Sequence, residues 1–183
     1  MKKTVVIYES KYGFTRQYAQ WIGEDLACPV FSRKEFSPRT FSEYETIVFG
    51  GGLYAGGVGG IRLLTDNWQQ LSSRKVILFT CGLADPKDPA NVRHIRESLE
   101  KILSPEMYRN IHFFHLQGGI DYDRLSLVHR SMMAMLRRML QKKDPEELTA
   151  EDQQLLDTYG QKLNFTDRQN IARLVQYVQQ LND

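Results

Sequence analysis

Cysteine is nearly absent from this chain: Cys28 and Cys81 are the only two among 183 residues, far apart and without a CxxC spacing. A disulfide framework and a structural zinc site are therefore not expected, and a reducing, cytoplasmic setting is. Long apolar runs are also missing. No stretch approaches the ~18 residues a membrane-spanning helix needs, and the apolar part of the opening Met1-Lys2-Lys3-Thr4-Val5-Val6-Ile7-Tyr8 is too short for a signal peptide, so no targeting segment is expected. No charge sign dominates: 24 basic residues face 22 acidic ones, net charge is +2 and the pI is near 8.5. That balance argues against disorder and against a nucleic-acid platform. His94, His112, His115 and His129 show no metal-ligand spacing, so no metal is expected.

What is present is a chain with 42% hydrophobic residues, long enough for one core and short for two, so a single domain over 1–183 is the expectation. Short β-type runs alternate with helix-type runs, the pattern of a parallel sheet with crossover helices on both faces. The strands fall at 4–8, 28–32, 46–50, 75–81 and 111–116. Thr46-Ile47-Val48-Phe49 and Val76-Ile77-Leu78-Phe79 are apolar at consecutive positions and read as central strands, whereas Cys28-Pro29-Val30-Phe31-Ser32 carries a proline and suits an edge. Helices are predicted from Thr15 to about Ala27, over 61–71, over 90–103 and from Asp167 to Leu181.

The first strand runs directly into Ser10-Lys11-Tyr12-Gly13-Phe14-Thr15 and then a helix. Such a turn offers backbone N–H groups and hydroxyls at the positive end of a helix dipole, as a phosphate monoester requires, and Gly13 permits the turn or a close approach. An ordinary β-to-α turn capped by Thr15 has the same composition, so this loop alone leaves both readings open. It is neither a Walker A loop nor a GxGxxG fingerprint. After the third strand, residues 50–60 hold seven glycines in eleven positions. Ordering such a segment is entropically costly, which points to a ligand against the backbone, with Leu53 and Tyr54 available to contact a flat ring. In a sheet of order 2-1-3-4-5 the switch point lies between strands one and three, so these two loops are neighbours. Cys81-Gly82-Leu83-Ala84-Asp85-Pro86 follows the fourth strand as a third loop on the same edge. A Cys-x5-Arg phosphatase loop is set aside because position 87 is Lys, and Cys81 is expected to be a buried strand-end thiol.

With these three loops on one sheet edge the sequence resembles the flavodoxin family, and within it the branch that includes menaquinone-dependent protoporphyrinogen oxidase. The resemblance covers nearly the whole chain. It implies a flavodoxin-like α/β fold, a doubly wound five-stranded parallel sheet of order 2-1-3-4-5 with a helical insertion before the last helix, and bound flavin mononucleotide (FMN). It further implies that Ser10, Lys11, Tyr12, Gly13, Phe14 and Thr15 surround the flavin phosphate. Gly51, Gly52, Leu53, Tyr54, Ala55 and Gly56 would line one side of the isoalloxazine, and Cys81, Gly82, Leu83, Ala84 and Asp85 the other. The Gly51–Gly52 peptide is the candidate for reorientation on flavin reduction. Two features depart from the family: Tyr12 stands where Ser or Thr is usual, and the second loop is nearly all glycine where the oxidase branch carries basic and aromatic residues.

The implied activity is that of an FMN-dependent oxidoreductase, quinone-linked or acting on a porphyrinogen-type substrate; the alternative is a non-catalytic electron carrier between protein partners. Dedicated carriers of the family are strongly acidic, so a pI near 8.5 tilts toward the enzyme. Residues 119–165 are surplus to the five-stranded scheme and read as a helical insertion. Within it, 124–143 carries Arg124, Arg130, Arg137, Arg138, Lys142 and Lys143 and no acid, with Leu125, Val128, Met132, Met135, Leu136 and Met139 in one stripe and Arg130, Arg137 and Gln141 opposite. Two readings stand: a helix packed on the domain with its arginines in solvent, or a surface that docks a quinone, an electron-transfer partner or the membrane periphery.

Overall fold

Val5-Val6-Ile7, Ile47-Val48-Phe49 and Val76-Ile77-Leu78-Phe79 are apolar on both sides of their strands, so each must be covered twice. The computed structural model, which describes residues 3–54 and 57–182, covers them in that way. In chain order the elements are β1 (Thr4–Glu9), α1 (Phe14–Asp25), β2 (Val30–Ser32), β3 (Thr46–Tyr54), β4 (Gly57–Val58), α2 (Arg62–Thr65), α3 (Trp68–Leu71), β5 (Lys75–Gly82), α4 (Pro89–Ile102), α5 (Pro105–Asn110), β6 (Ile111–Gln117), β7 (Gly119–Asp121), α6 (Leu127–Leu140), α7 (Ala150–Thr158), β8 (Lys162–Asn164) and α8 (Ala172–Asn182). They form two units: one ends at Gly118 and resumes at Thr166, and the other is Gly119–Phe165.

In the first unit the parallel strands run β2-β1-β3-β5-β6, the order expected for a doubly wound sheet. Side chains alternate in direction along each strand. Val5, Ile7, Ile47, Phe49, Val76 and Leu78 therefore pack with Leu63, Leu64, Trp68 and Leu71 of α2 and α3 and with Ile95 and Leu99 of α4. Val6, Val48, Ile77 and Phe79 face the other way, toward Tyr18, Ala19 and Ile22 of α1 and Leu174, Val175 and Val178 of α8.

Several boundaries differ from the sequence reading. β2 begins only at Val30, although the Pro29 carbonyl accepts from the Val6 N–H of β1 at 3.0 Å; Cys28 N–H instead donates to the Gly23 carbonyl. The helix expected over 61–71 is two short ones, interrupted at Asp66-Asn67, where Asn67 Nδ2 donates to the Leu63 carbonyl. The last helix starts at Ala172, after a 3-10 turn that Asp167 caps. α5, with Ser104 capping and Pro105 in its first turn, was not foreseen.

The largest correction concerns the glycine loop. β3 runs on to Tyr54, so Gly50, Gly51 and Gly52 are strand residues, buried and paired with Phe79, Thr80 and Cys81 of β5. Their lack of a side chain is used by the protein itself. A Cβ on Gly50 would lie 2.0 Å from Phe79 Cζ, one on Gly51 would lie 2.3 Å from Val58 Cγ1, and one on Gly52 would lie 2.6 Å from the Tyr54 hydroxyl. The segment then turns back as β4, which pairs antiparallel with the end of β3 through Leu53–Val58 and Tyr54–Gly57. Ala55 and Gly56, both expected at the flavin, lie outside the described residues.

In the second unit β7 and β8 pair antiparallel, with Asp121 and Lys162 opposite each other in a 3.0 Å ion pair. Ser126 caps α6 by accepting from the His129 N–H, and Thr149 and Asp152 form a capping box at α7. The Arg137 guanidinium lies 4.6 Å from the centroid of Tyr159, and Arg130 Nη2 donates to the Tyr122 carbonyl. These arginines thus follow the unit's own aromatic surface, while much of the apolar stripe of α6 is exposed. Arg130, Arg137 and Arg138 are exposed, as the reading with arginines in solvent expects, while Leu127, Val128, Met135, Leu136 and Met139 are exposed as well.

Because the Phe79 ring occupies the space beside Gly50, Gly50→Ala should destabilise the first unit by about 1–3 kcal/mol. Urea unfolding checks this; a second substitution, Phe79→Leu, should recover part of the loss, and a Gly50→Ala midpoint equal to wild type would show that the contact is not tight.

Candidate functional site

The carboxyl ends of β1, β3 and β5 are adjacent, and β1 and β3 flank the point where the chain's winding reverses, the usual ligand crevice of a doubly wound sheet. Ser10 to Gly13 leaves β1 there. Gly13 has φ +100°, a left-handed conformation in which an L side chain is strained although nothing lies within 4 Å of where its Cβ would be. Ser10 Oγ accepts from the Gly13 N–H at 3.1 Å and holds the turn. Gly13, not Thr15, occupies the N-cap position of α1, and no side chain caps the helix. The first helical bond is from Gln17 N–H to the Gly13 carbonyl. The N–H groups of Phe14, Thr15 and Arg16 therefore have no intrahelical acceptor, and none is supplied by other described residues.

Thr15 does something else. It is buried, and its hydroxyl is hydrogen-bonded to the Cys81 thiol at the end of β5. Burial pushes that thiol up to about 12 against the opposing effect of the Thr15 bond, so Cys81 is an unreactive packing residue, as the sequence suggested. Gly118 sits over the same spot, where a Cβ would lie 2.7 Å from Cys81 Sγ and 3.2 Å from Phe14 Cβ. The first turn of α1 is thus fastened onto the ends of β5 and β6.

The second loop closes over the first. The Tyr54 hydroxyl accepts from the Lys11 N–H at 3.2 Å, and the Tyr12 and Tyr54 rings meet edge-on with centroids 6.1 Å apart. Burial raises the Tyr54 phenol above its ordinary value. The Gly51–Gly52 peptide, expected to be the one that reorients, lies in the β3–β5 ladder, and the following carbonyl, that of Gly52, accepts from the Gly59 N–H at 2.8 Å.

In the third loop Gly82 is crowded by Leu53, whose Cδ1 would be 2.9 Å from an added Cβ. The Asp85 carboxylate accepts from the Lys87 N–H, and its carbonyl accepts from Asn91 Nδ2, so Asp85 shapes the approach to α4. Two positioning residues were missed. Gln117 Nε2 donates to the Leu83 carbonyl at 3.0 Å, and the Tyr18 hydroxyl donates to the Gln117 carbonyl at 2.7 Å while accepting from the Asp167 N–H and Asn170 Nδ2. Gln117-Gly118-Gly119 directly follows the fifth strand and was readable as a fourth loop on this edge; Tyr18 was visible only as an apolar helix position. A groove of 440 Å³ lined by Gln20, Gly23, Glu24, Ala27, Cys28 and Val30 lies instead beside the end of α1 and the start of β2, at the opposite end of the sheet.

The sequence matches a family model described as "Flavodoxin domain" over residues 5–147. No curated protein matches the chain. Among solved structures, a flavodoxin from the domain Archaea is 17% identical, with 67% of this chain and 88% of that one covered and a TM-score of 0.43. The oxidised Flavodoxin 2 from Bacillus cereus is 16% identical, covering 63% and 84%, with a TM-score of 0.44. A flavodoxin, WrbA-like protein from Agrobacterium tumefaciens is 16% identical, covering 98% and 99%, with a TM-score of 0.45.

One pH dependence follows from the strand beside this edge. His115 Nδ1 is 2.8 Å from Thr80 Oγ1, its Nε2 is buried without a partner among the described residues, and burial, aided by Arg96, pushes its pKa down to about 4. The ring is neutral in the fold and ionises near 6.5 when unfolded, so its contribution to stability is present above pH ~6.5 and is lost as pH falls toward 4. The urea midpoint should drop between pH 7 and pH 4.5, and less in His115→Gln; equal drops would show that His115 does not govern the window.

Proposed function

Because the chain belongs to the flavodoxin-domain family, we propose that it is an FMN-dependent oxidoreductase whose cofactor phosphate is held by the first turn of α1. FMN is the cofactor of that family, and the observation that carries the reading is the uncapped N-terminus of α1 behind a left-handed Gly13. The residues fit a phosphate monoester: three backbone donors converge at the positive end of a 12-residue helix, with Ser10 shaping the turn. No lysine or arginine is required, and Tyr12 costs nothing essential, since backbone groups do the binding.

Bound FMN supplies one- or two-electron transfer. The chain's own residues supply the rest. Thr15, through Cys81, holds the helix turn against the sheet; Gln117 fixes the Leu83 carbonyl; Leu53 and Tyr54 provide apolar and aromatic surface at the same edge. Tyr54 must yield the Lys11 N–H for that group to serve a ligand, so loop closure and phosphate binding are linked. We favour a small-molecule acceptor such as a quinone, with a porphyrinogen-type donor as the concrete precedent. The near-neutral charge and a pI near 8.5 do not provide the acidic surface that steers a carrier to basic partners. The two free thiols suit a reducing cytoplasm.

The test is direct. Purified protein should bind FMN with micromolar or tighter affinity, read as quenching of flavin fluorescence, and Gly13→Val should weaken binding by about tenfold or more, ~1.4 kcal/mol per tenfold. Once reduced, the flavoprotein should be reoxidised rapidly by a soluble quinone. Failure to bind FMN would remove the proposal, and rapid reoxidation only by a protein acceptor would assign the chain to the carriers.

A further inference from the structure

The ladder between β5 and β6 ends at Gly82 and Gln117, with the Gly118 N–H donating to the Gly82 carbonyl just beyond it. Past that point the chain after β5 is held by a side chain: Gln117 Nε2 donates to the Leu83 carbonyl at 3.0 Å. Gln117 is itself anchored. Its own carbonyl accepts from the Tyr18 hydroxyl at 2.7 Å, and that hydroxyl accepts in turn from the Asp167 N–H and from Asn170 Nδ2, both at 3.3 Å. Tyr18 is fully buried, so the Gln117 backbone is fixed from α1 and from the turn before α8.

Fixing one end of a peptide aims the other. The Leu83–Ala84 peptide is trans, so its C=O and N–H point in opposite directions. With the carbonyl on Gln117, the Ala84 N–H faces away from that side chain. Ala84 is half-buried, and its N–H has no acceptor among the described residues, which leaves a main-chain donor to be met by a ligand or by water. β5 has β6 on one side and β3 on the other. Gly82, which precedes the peptide, lies against Leu53 of β3, so the third loop borders the second on the side away from β6.

We infer that Gln117 is a positioning residue for the ring of the bound ligand: by occupying the Leu83 carbonyl it turns the Ala84 N–H toward the second loop, as the donor to a hydrogen-bond acceptor on that ring. This rests on the flavin reading of the sheet edge and deepens it by dividing the ligand between two parts of the chain. The amides of α1 meet the phosphate, and the Gln117 brace governs the ring end alone. A glutamine suits the task. Its amide is a neutral donor of fixed reach, whereas a carboxylate at the same place would face the Leu83 carbonyl with no proton to offer and push it away. A donor held on a ring acceptor also favours the electron-richer reduced ring, so the potential of the bound flavin depends on Gln117 as well as its affinity.

Two variants of the full chain test it. Gln117→Met removes the donor at nearly the same length, and Gln117→Glu replaces it with an acceptor. Each should weaken FMN binding by about tenfold or more and lower the midpoint potential of the bound flavin. Inorganic phosphate, followed through the amide shifts of Phe14, Thr15 and Arg16, should bind to both variants as it does to the wild type. A merely structural role for Gln117 would instead lower FMN affinity, phosphate affinity and the urea midpoint together, and that outcome overturns the inference. So do variants whose FMN affinity and flavin potential equal those of the wild type, a result that leaves the flavin reading standing. A wild type that binds inorganic phosphate at α1 but no flavin removes that reading and the inference with it.

Discussion

The first turn of α1 is left without a cap, and the surrounding structure is organised around that uncompensated end. A helix that begins on the sheet edge with three amides lacking a protein acceptor leaves them to water or to an anion, which the positive end of the helix dipole favours. Gly13 sets the turn at φ +100°, Ser10 braces it, and Thr15 is drawn inward to Cys81 instead of turning back to cap the helix. Local sequence could have supplied a cap here with one side chain. The arrangement keeps the donors available.

That end is held rigidly because the sheet beneath it is packed to the limit of what glycine allows. Phe79, Val58 and Tyr54 each take the volume that a Cβ on Gly50, Gly51 or Gly52 would need. β3 can therefore lie in register with both β1 and β5 up to the rim, and the hairpin to β4 folds back over it. Tyr18 and Gln117 extend the same rigidity sideways, linking α1 through the Gln117 carbonyl to the Leu83 loop.

How much of this was legible depended on range. Consecutive apolar residues at 47–49 and 76–79 reported burial on two faces, and with it the parallel sheet and its order, because that signal is local and periodic. The three loops were placed on the correct edge for the same reason. Their internal logic was not visible. Glycine at 50–52 looks the same whether a ligand or a phenylalanine ring fills the space, and only the register with Phe79 decides. The partner of Thr15 is a cysteine on a distant strand, so a local rule assigned it to a cap it does not make. Tyr18 read as an apolar position because its hydroxyl partners, Gln117, Asp167 and Asn170, are brought together only by the fold. The amphipathic pattern of α6 was plain, but a pattern gives a stripe and not the side that meets its own unit, which is the Arg137 side lying on Tyr159.

The chain thus belongs to the flavodoxin-domain family, starts α1 on three amides that have no acceptor among the described residues, and carries a second unit whose helix α6 is amphipathic. The central claim is that the α1 amides, and not a charged side chain, hold the cofactor phosphate. A heteronuclear NMR titration reads those groups individually. Addition of FMN should move the amide protons of Phe14, Thr15 and Arg16 downfield, and riboflavin, which has the ring system but no phosphate, should leave them in place. FMN binding with those three amides unmoved, or an equal shift with riboflavin, would contradict the account.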